Sequence, residues 1–255
     1  MRFSSIGSGS KGNSTLVEYD SVIILVDCGF SVKEAEKRLN FIGIHPSAIN
    51  CILVTHEHSD HIRGVSSLAK KYNIPVMATP GTSKSLKNTS DLDLTYIETD
   101  TNFCIKSLRI TPVTVPHDAR EPVQFIIKGG PLTLGILTDT GTITQHIIEH
   151  YQQCDGLLIE SNHDENMLTK GIYPESLKER VGGDWGHLNN KQTLYFLKNI
   201  KLELLQELVI GHISENNNSI SLVKETISEI TNQVSSISYA TQNEGFNWKE
   251  LKYQY

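Results

Sequence analysis

The chain has 255 residues, 38% hydrophobic and 20% charged, a globular composition with enough apolar material for a sizeable core. Its formal charge of −6 excludes a broadly basic, nucleic-acid-coating surface, although divalent cations in a cleft would reverse the field locally. No apolar stretch approaches a membrane span, no continuous apolar segment opens the chain, and no Pro/Gly/Ser-rich linker divides it, so a single cytoplasmic domain over residues 1–255 with no membrane association is expected. The four cysteines, Cys28, Cys51, Cys104 and Cys154, are widely spaced and lie in or beside apolar runs; buried free thiols are expected.

In chain order, Ser21 to Gly29 is a β-branched run closed by Asp27 and Gly29, and reads as a buried strand ending in a turn. A second strand, Cys51 to Thr55, leads directly into His56-Glu57-His58-Ser59-Asp60-His61. Ile62, Val65, Leu68 and Ala69 have helical spacing up to Tyr72, and Val76 to Ala78 is another short strand. The middle of the chain alternates β-rich pieces and turns: Phe103 to Val115, Val123 to Lys128, then Leu132 to Leu137. A helix over Ile143 to Tyr151, a strand over Gly156 to Ile159 running into Glu160, and helices near Asn189 to Asn199 and Ser219 to Thr231 around a strand at Leu208 to Ile210 complete the pattern. No repeat of solenoid or propeller period is present.

Three imidazoles and a carboxylate within six residues, at His56, His58, Asp60 and His61, are costly to bury and poorly explained by packing. On a tightly turning loop, His56 and His58 point one way while Asp60 and His61 swing to the other, which suits two adjacent metals. Imidazole and carboxylate without thiolate fit zinc, manganese or iron(II), and too few ligands per ion leaves positions for water. Further candidates stand at later strand ends: His117, Asp139 and His212. His146 and His150 share a helix face at i and i+4, but no third ligand is in register, and a solvated face is expected. The opening Gly7-x-Gly9-x-x-Gly12 formally matches a dinucleotide fingerprint; it is rejected because Thr15 to Tyr19 reads as a strand where the fingerprint needs a helix.

The series His56-x-His58-x-Asp60-His61, His117, Asp139 and His212, preceded by Asp27-Cys28-Gly29, resembles the motif series of the metallo-β-lactamase superfamily over nearly the whole chain. Gly7 to Ser14, Pro116 to Ala119, Glu160 to Asp164, Gly186 to Asn190 and His212 to Asn217 further resemble its YycJ/WalJ-like branch, which is regarded as containing DNA exonucleases; Asn189 departs from the Ser expected in that pattern. The resemblance implies an α/β fold, the four-layer αββα sandwich. It implies two divalent ions, zinc first, with Mn²⁺ and Fe²⁺ as alternatives: His56, His58 and His117 on one, Asp60, His61 and His212 on the other, Asp139 bridging, and a shared hydroxide as nucleophile. Asp60 would also orient that nucleophile, and Glu160 with His187 would relay a proton to the leaving oxygen, unless His187 merely caps the following helix. Ser10 and Asn13, in the glycine-rich turn, are candidate phosphate contacts; His163 is either another or a surface residue. The stretch between Asp139 and His212 is too short for the large inserted domain of the superfamily's RNA-degrading nucleases. The resulting expectation is a DNA exonuclease working near a strand end, with room for an oligomer. A small-molecule hydrolase of lactamase, thioesterase or lactonase type, an RNA-processing nuclease and a metal-stabilised scaffold are the competing readings.

Overall fold

The structure, a computed structural model describing residues 1–253, runs through two successive β-rich halves. The first contains β1 (Arg2–Gly7), β2 (Ser14–Tyr19), β3 (Val22–Val26), α1 (Val32–Phe41), β4 (Cys51–Leu53), α2 (Ser59–Ile62), α3 (Val65–Tyr72), β5 (Val76–Ala78), α4 (Pro80–Ser83) and β6 (Leu94–Tyr96). The second contains β7 (Phe103–Ile105), β8 (Leu108–Thr114), β9 (Val123–Gly129), β10 (Leu132–Leu137), α5 (Gln145–Tyr151), β11 (Gly156–Glu160), α6 (Glu165–Lys170), α7 (Glu175–Gly182), α8 (Asn190–Lys198), β12 (Glu207–Gly211), α9 (Ile220–Thr226) and β13 (Ile237–Tyr239), and β14 (Phe246–Glu250) then returns to the first half. Thr15 to Tyr19 indeed lies in a strand, which removes the dinucleotide reading of the glycine turn.

Among the described residues the strands form two sheets, ordered β14-β1-β2-β3-β4-β5-β6 and β13-β12-β11-β10-β9-β8-β7. Each has an antiparallel part (β14 to β3; β7 to β10) and a parallel part (β3 to β6; β10 to β13). Alternation along each strand assigns side chains to layers. On β3, Ile24 and Val26 enter the core between the sheets, whereas Ile23 and Leu25 face the layer under α1 and α3. On β11, Leu158 points between the sheets while Leu157 and Ile159 meet the helices over the second sheet. Three apolar layers separate helix, sheet, sheet and helix, which is the four-layer αββα sandwich.

The expected Ile62 to Tyr72 helix is two pieces, because Gly64 N donates to the Cys28 carbonyl at 2.8 Å and the Asp60 carbonyl accepts from Asn13 N instead, and Gly64 packs so closely on the Phe30 carbonyl that a Cβ could not fit. Phe103 to Val115 is a hairpin rather than one strand. The Ser219 to Thr231 helix is α9 followed by a 3₁₀ turn, Ser228–Gln233. Cys28, Cys51 and Cys154 are buried, but Cys104 is exposed on β7, the edge strand of the second sheet, where no layer covers it. Burial pushes the thiols of the first three up to about 12. No helix among the described residues is long and apolar enough to cross a membrane.

Candidate metal centre

The site forms where the parallel strands end. In the second sheet Leu137 pairs with Ile159 and Ile159 with Ile210, so Asp139, Glu160 and His212 follow side by side, one or two residues beyond that level. In the first sheet Val26 pairs with Leu53, placing Asp27 beside Thr55 and His56. Asp27, Asp139 and His212 all hold backbone φ in the left-handed region, at 61°, 54° and 50°, which non-glycine residues rarely adopt and which clusters at functional sites. Gly29 lets the loop after β3 run against the loop carrying the histidines: a Cβ there would overlap the Asp60 carbonyl, while Asn13 N donates to Asp60 O and Cys28 N to His61 O, each at 2.8 Å.

Four imidazoles have their tautomers set from behind. Thr55 Oγ1 donates to Asp27 Oδ2 (2.7 Å), so at 3.0 Å it must accept from His56 Nδ1. His61 Nδ1 donates to Asp27 Oδ2 (2.7 Å), His117 Nδ1 to the Gly186 carbonyl (3.0 Å) and His58 Nε2 to the Asp118 carbonyl (3.2 Å). Each ring is left with a lone pair on its other nitrogen, as a metal ligand requires. His56 Nε2 lies 3.1 Å from His58 Nδ1, which lies 3.2 Å from His117 Nε2. For Zn–N bonds of about 2.0–2.1 Å a tetrahedron has edges of about 3.3 Å; these two separations match such edges, and one ligand atom from each of the three residues lies within 4.8 Å of the others.

A second set adjoins the first. His61 Nε2 is 3.5 Å from Asp60 Oδ2 and 3.3 Å from Asp139 Oδ2, and Asp139 Oδ1 is 3.2 Å from His212 Nδ1. Asp139 Oδ2 and His212 Nδ1 are buried with no hydrogen-bond partner among the described residues, which is expensive unless something else satisfies them. The electrostatics agree. Burial, helped by the neighbouring imidazoles of His61, His117 and His58, keeps His56 well below the usual histidine range, and burial also lowers His117. Burial likewise opposes charge on His61 and His212, yet Asp139 outweighs it, with Asp27 at His61 and Glu160 at His212; His61 is driven well upward and His212 up to about 9. Asp139 is itself held well below the carboxylate range against its burial by His212 and His61. The carboxylate side of the pocket thus draws positive charge, while His56 and His117 are favoured as neutral donors. This donor set fits divalent metal.

Glu160 is fully buried. Its Oε1 accepts from Thr140 N (2.6 Å) and its Oε2 from His187 Nδ1 (3.1 Å); burial would raise this carboxyl, but His187 and then His212 hold it below its ordinary value. His187 does not cap the next helix. Asn189 does, with a reciprocal capping box to Gln192, so the Asn in place of the expected Ser keeps the capping oxygen. His187 Nδ1 is also 3.6 Å from Asp139 Oδ1, and Asp139, His187 and His212 form a further possible ligand group.

A cleft of about 470 Å³ opens over these groups, lined among others by Ser10, Asp60, Asp139, Arg180, His187 and His212. Asn13 is buried, its amide donating to Asp60 Oδ2 (3.1 Å) and approaching His61 Nε2 (3.0 Å). His163, beside the cleft-lining Asn162, is 2% exposed and does not itself line the cleft; burial takes its imidazole down to about 4. Sequence reading missed the cleft-wall pair Asp118 and Arg180, joined through Arg180 Nε and Asp118 Oδ2. Asp118 Oδ1 lies 3.5 Å from both His58 Nε2 and His117 Nε2.

The model of the β-lactamase superfamily domain matches residues 23–213. The chain belongs to the metallo-β-lactamase superfamily. Within it, the chain falls in the YycJ/WalJ-like branch: it is 31% identical to exodeoxyribonuclease YycJ of Bacillus anthracis, over 90% of this chain and 89% of that protein. It is 32% identical to exodeoxyribonuclease WalJ of Streptococcus pneumoniae strain D39, over 89% and 86%. This superfamily member also shares its fold with Zn²⁺-bound PqqB of Methylobacterium extorquens, at a TM-score of 0.76 and 17% identity over 98% of this chain and all of the other.

Proposed function

We propose that the chain is a metal-dependent phosphodiesterase acting on nucleic acid, specifically a DNA exonuclease. In this reading His56, His58 and His117 hold one divalent ion and Asp60, His61 and His212 a second, with Asp139 shared and zinc best suited to the donors. Bound there, the ions supply Lewis acidity toward phosphoryl oxygens and lower the pKa of water.

The observation that carries the reading is the Glu160–His187 pair beside the donor set, 3.1 Å apart. An alkoxide leaving from phosphorus needs a proton, and an imidazole with Nδ1 fixed on a buried carboxylate presents Nε2 in one orientation to deliver it. Asp60 Oδ2, steadied by Asn13, orients the attacking water. Arg180 is the only Lys or Arg lining the cleft among the described residues, and with Nε on Asp118 its other N–H groups remain for a substrate phosphate. Ser10 lines the cleft as well. The names of the two relatives, aligned over most of their length, favour DNA as polymer and attack from an end.

The test is digestion of end-labelled DNA and RNA, with a small ester and a β-lactam alongside, in Zn²⁺ or Mn²⁺. DNA should shorten from an end, and a chelator should stop it. Glu160→Gln and His187→Ala should lower turnover by about 10²–10⁴-fold at unchanged metal content. DNA left intact while RNA or the ester is cleaved overturns the substrate assignment; loss of metal from His187→Ala makes His187 a ligand rather than the acid.

A further inference from the structure

His146 and His150 lie at i and i+4 on α5, on one helix face, with ring centroids 4.3 Å apart. Asp100, in the connection between β6 and β7 that carries the chain from one sheet to the other, reaches the same point: its Oδ1 is 2.9 Å from His146 Nε2. One ligand atom from each of the three residues lies within 4.8 Å of the others. The third ligand missing from the local sequence therefore comes from 46 residues upstream of His146.

We infer that Asp100, His146 and His150 form a separate divalent-cation site, suited to zinc, which shares no ligand with the centre described above.

Two imidazoles and a carboxylate are a zinc donor set that leaves a coordination position to water, and the site is open enough for that, His146 and Asp100 each being 39% exposed. The carboxylate is held from behind: Thr114 N donates to Asp100 Oδ1 at 3.2 Å and Thr114 Oγ1 to Oδ2 at 2.9 Å. His150 Nδ1 donates to the His146 carbonyl at 2.9 Å, which leaves its Nε2 with the lone pair. Supports of this kind orient metal ligands and fix their tautomers. A plain hydrogen-bonded surface cluster accounts for His146 and Asp100 but gives His150 Nε2 no partner among the described residues. An ion engages all three once His146 shifts its proton from Nε2 to Nδ1. It would tie α5, which begins a few residues after the loop of Asp139, to the crossing between the sheets.

The experiment is equilibrium dialysis of the full chain against buffered zinc, with bound metal measured by atomic emission. The His146→Ala/His150→Ala double variant and Asp100→Asn should each hold about one ion fewer per chain than the unmodified protein. In the unmodified protein, zinc should also slow carbethoxylation of His146 and His150, read by peptide mass spectrometry. Equal zinc counts in all three proteins, or unchanged modification of both histidines, overturns the site. Neither readout uses catalytic activity, so the nuclease assignment can fail without affecting it.

Discussion

Asp27 binds no ion in the proposed scheme, yet it sets two of the ligands: both its oxygens accept from Thr55, and Oδ2 also accepts from His61 Nδ1. Asp27→Asn replaces one acceptor by a donor, so either His61 flips its tautomer or Thr55 loses its bond. Metal affinity should fall by about 10–100-fold, measured by chelator competition, with far-ultraviolet circular dichroism unchanged; undiminished affinity would show that the buried pair is not what orients His61. Arg180→Ala should raise KM for DNA about tenfold and reduce the slope of the salt dependence by about one, while hydrolysis of bis(p-nitrophenyl) phosphate, which has no neighbouring phosphate, stays constant. Equal losses on both substrates would place Arg180 in the support of Asp118 instead. The candidate ligands were legible because His56 to His61 concentrates metal-binding chemistry in one loop and the rest stand at strand ends. Asp118 and Arg180 were not, since an ion pair 62 residues apart in sequence is visible only after the chain folds.

The strands read most plainly were those whose side chains are almost all buried. The strands at Val22–Val26, Leu132–Leu137 and Gly156–Glu160 show as β-branched or aliphatic runs because both sheet faces are covered. β1 escaped notice because its interior includes Ser4 and Ser5, which are buried through hydrogen bonds to backbone carbonyls rather than apolar contact. α7 escaped because it buries no residue fully and so carries no stripe. Within β10, Gly135 interrupts the aliphatic run for a packing reason: a Cβ would stand 2.7 Å from the ring of Tyr151 on α5. Tyr151 cannot retreat without giving up its 2.7 Å hydrogen bond to the Ile136 carbonyl. Gly135→Ala should therefore cost about 1–3 kcal/mol, read as a lower denaturant midpoint at unchanged slope. A neutral or stabilising effect would mean that Tyr151 and α5 yield freely.

At the scale of the molecule, the seam between the halves gathers the proposed ligands from both sheets: His56, His58, Asp60 and His61 follow β4, while His117, Asp139 and His212 follow strands of the second sheet. A sequence pattern shows each half separately, but the register that brings Asp139 and His61 to 3.3 Å is a property of the closed sandwich. Buried in this seam, Asp139 Oδ2 and His212 Nδ1 find no hydrogen-bond partner among the described residues. Metal should thus act as a staple across the sandwich, binding the native state alone. At an ion concentration about 100 times Kd, linkage gives about 2.7 kcal/mol, and for a chain of this size that corresponds to a rise in Tm of about 5–10 °C. Differential scanning calorimetry of chelator-treated and zinc-reloaded protein measures it. Most of the rise should persist in the His146→Ala/His150→Ala variant, which leaves the seam intact, and Asp139→Asn, which removes the proposed shared ligand, should keep only the part due to the Asp100, His146 and His150 site. An identical Tm with and without zinc in the unmodified protein would mean that the seam is closed by its own protons and not by metal.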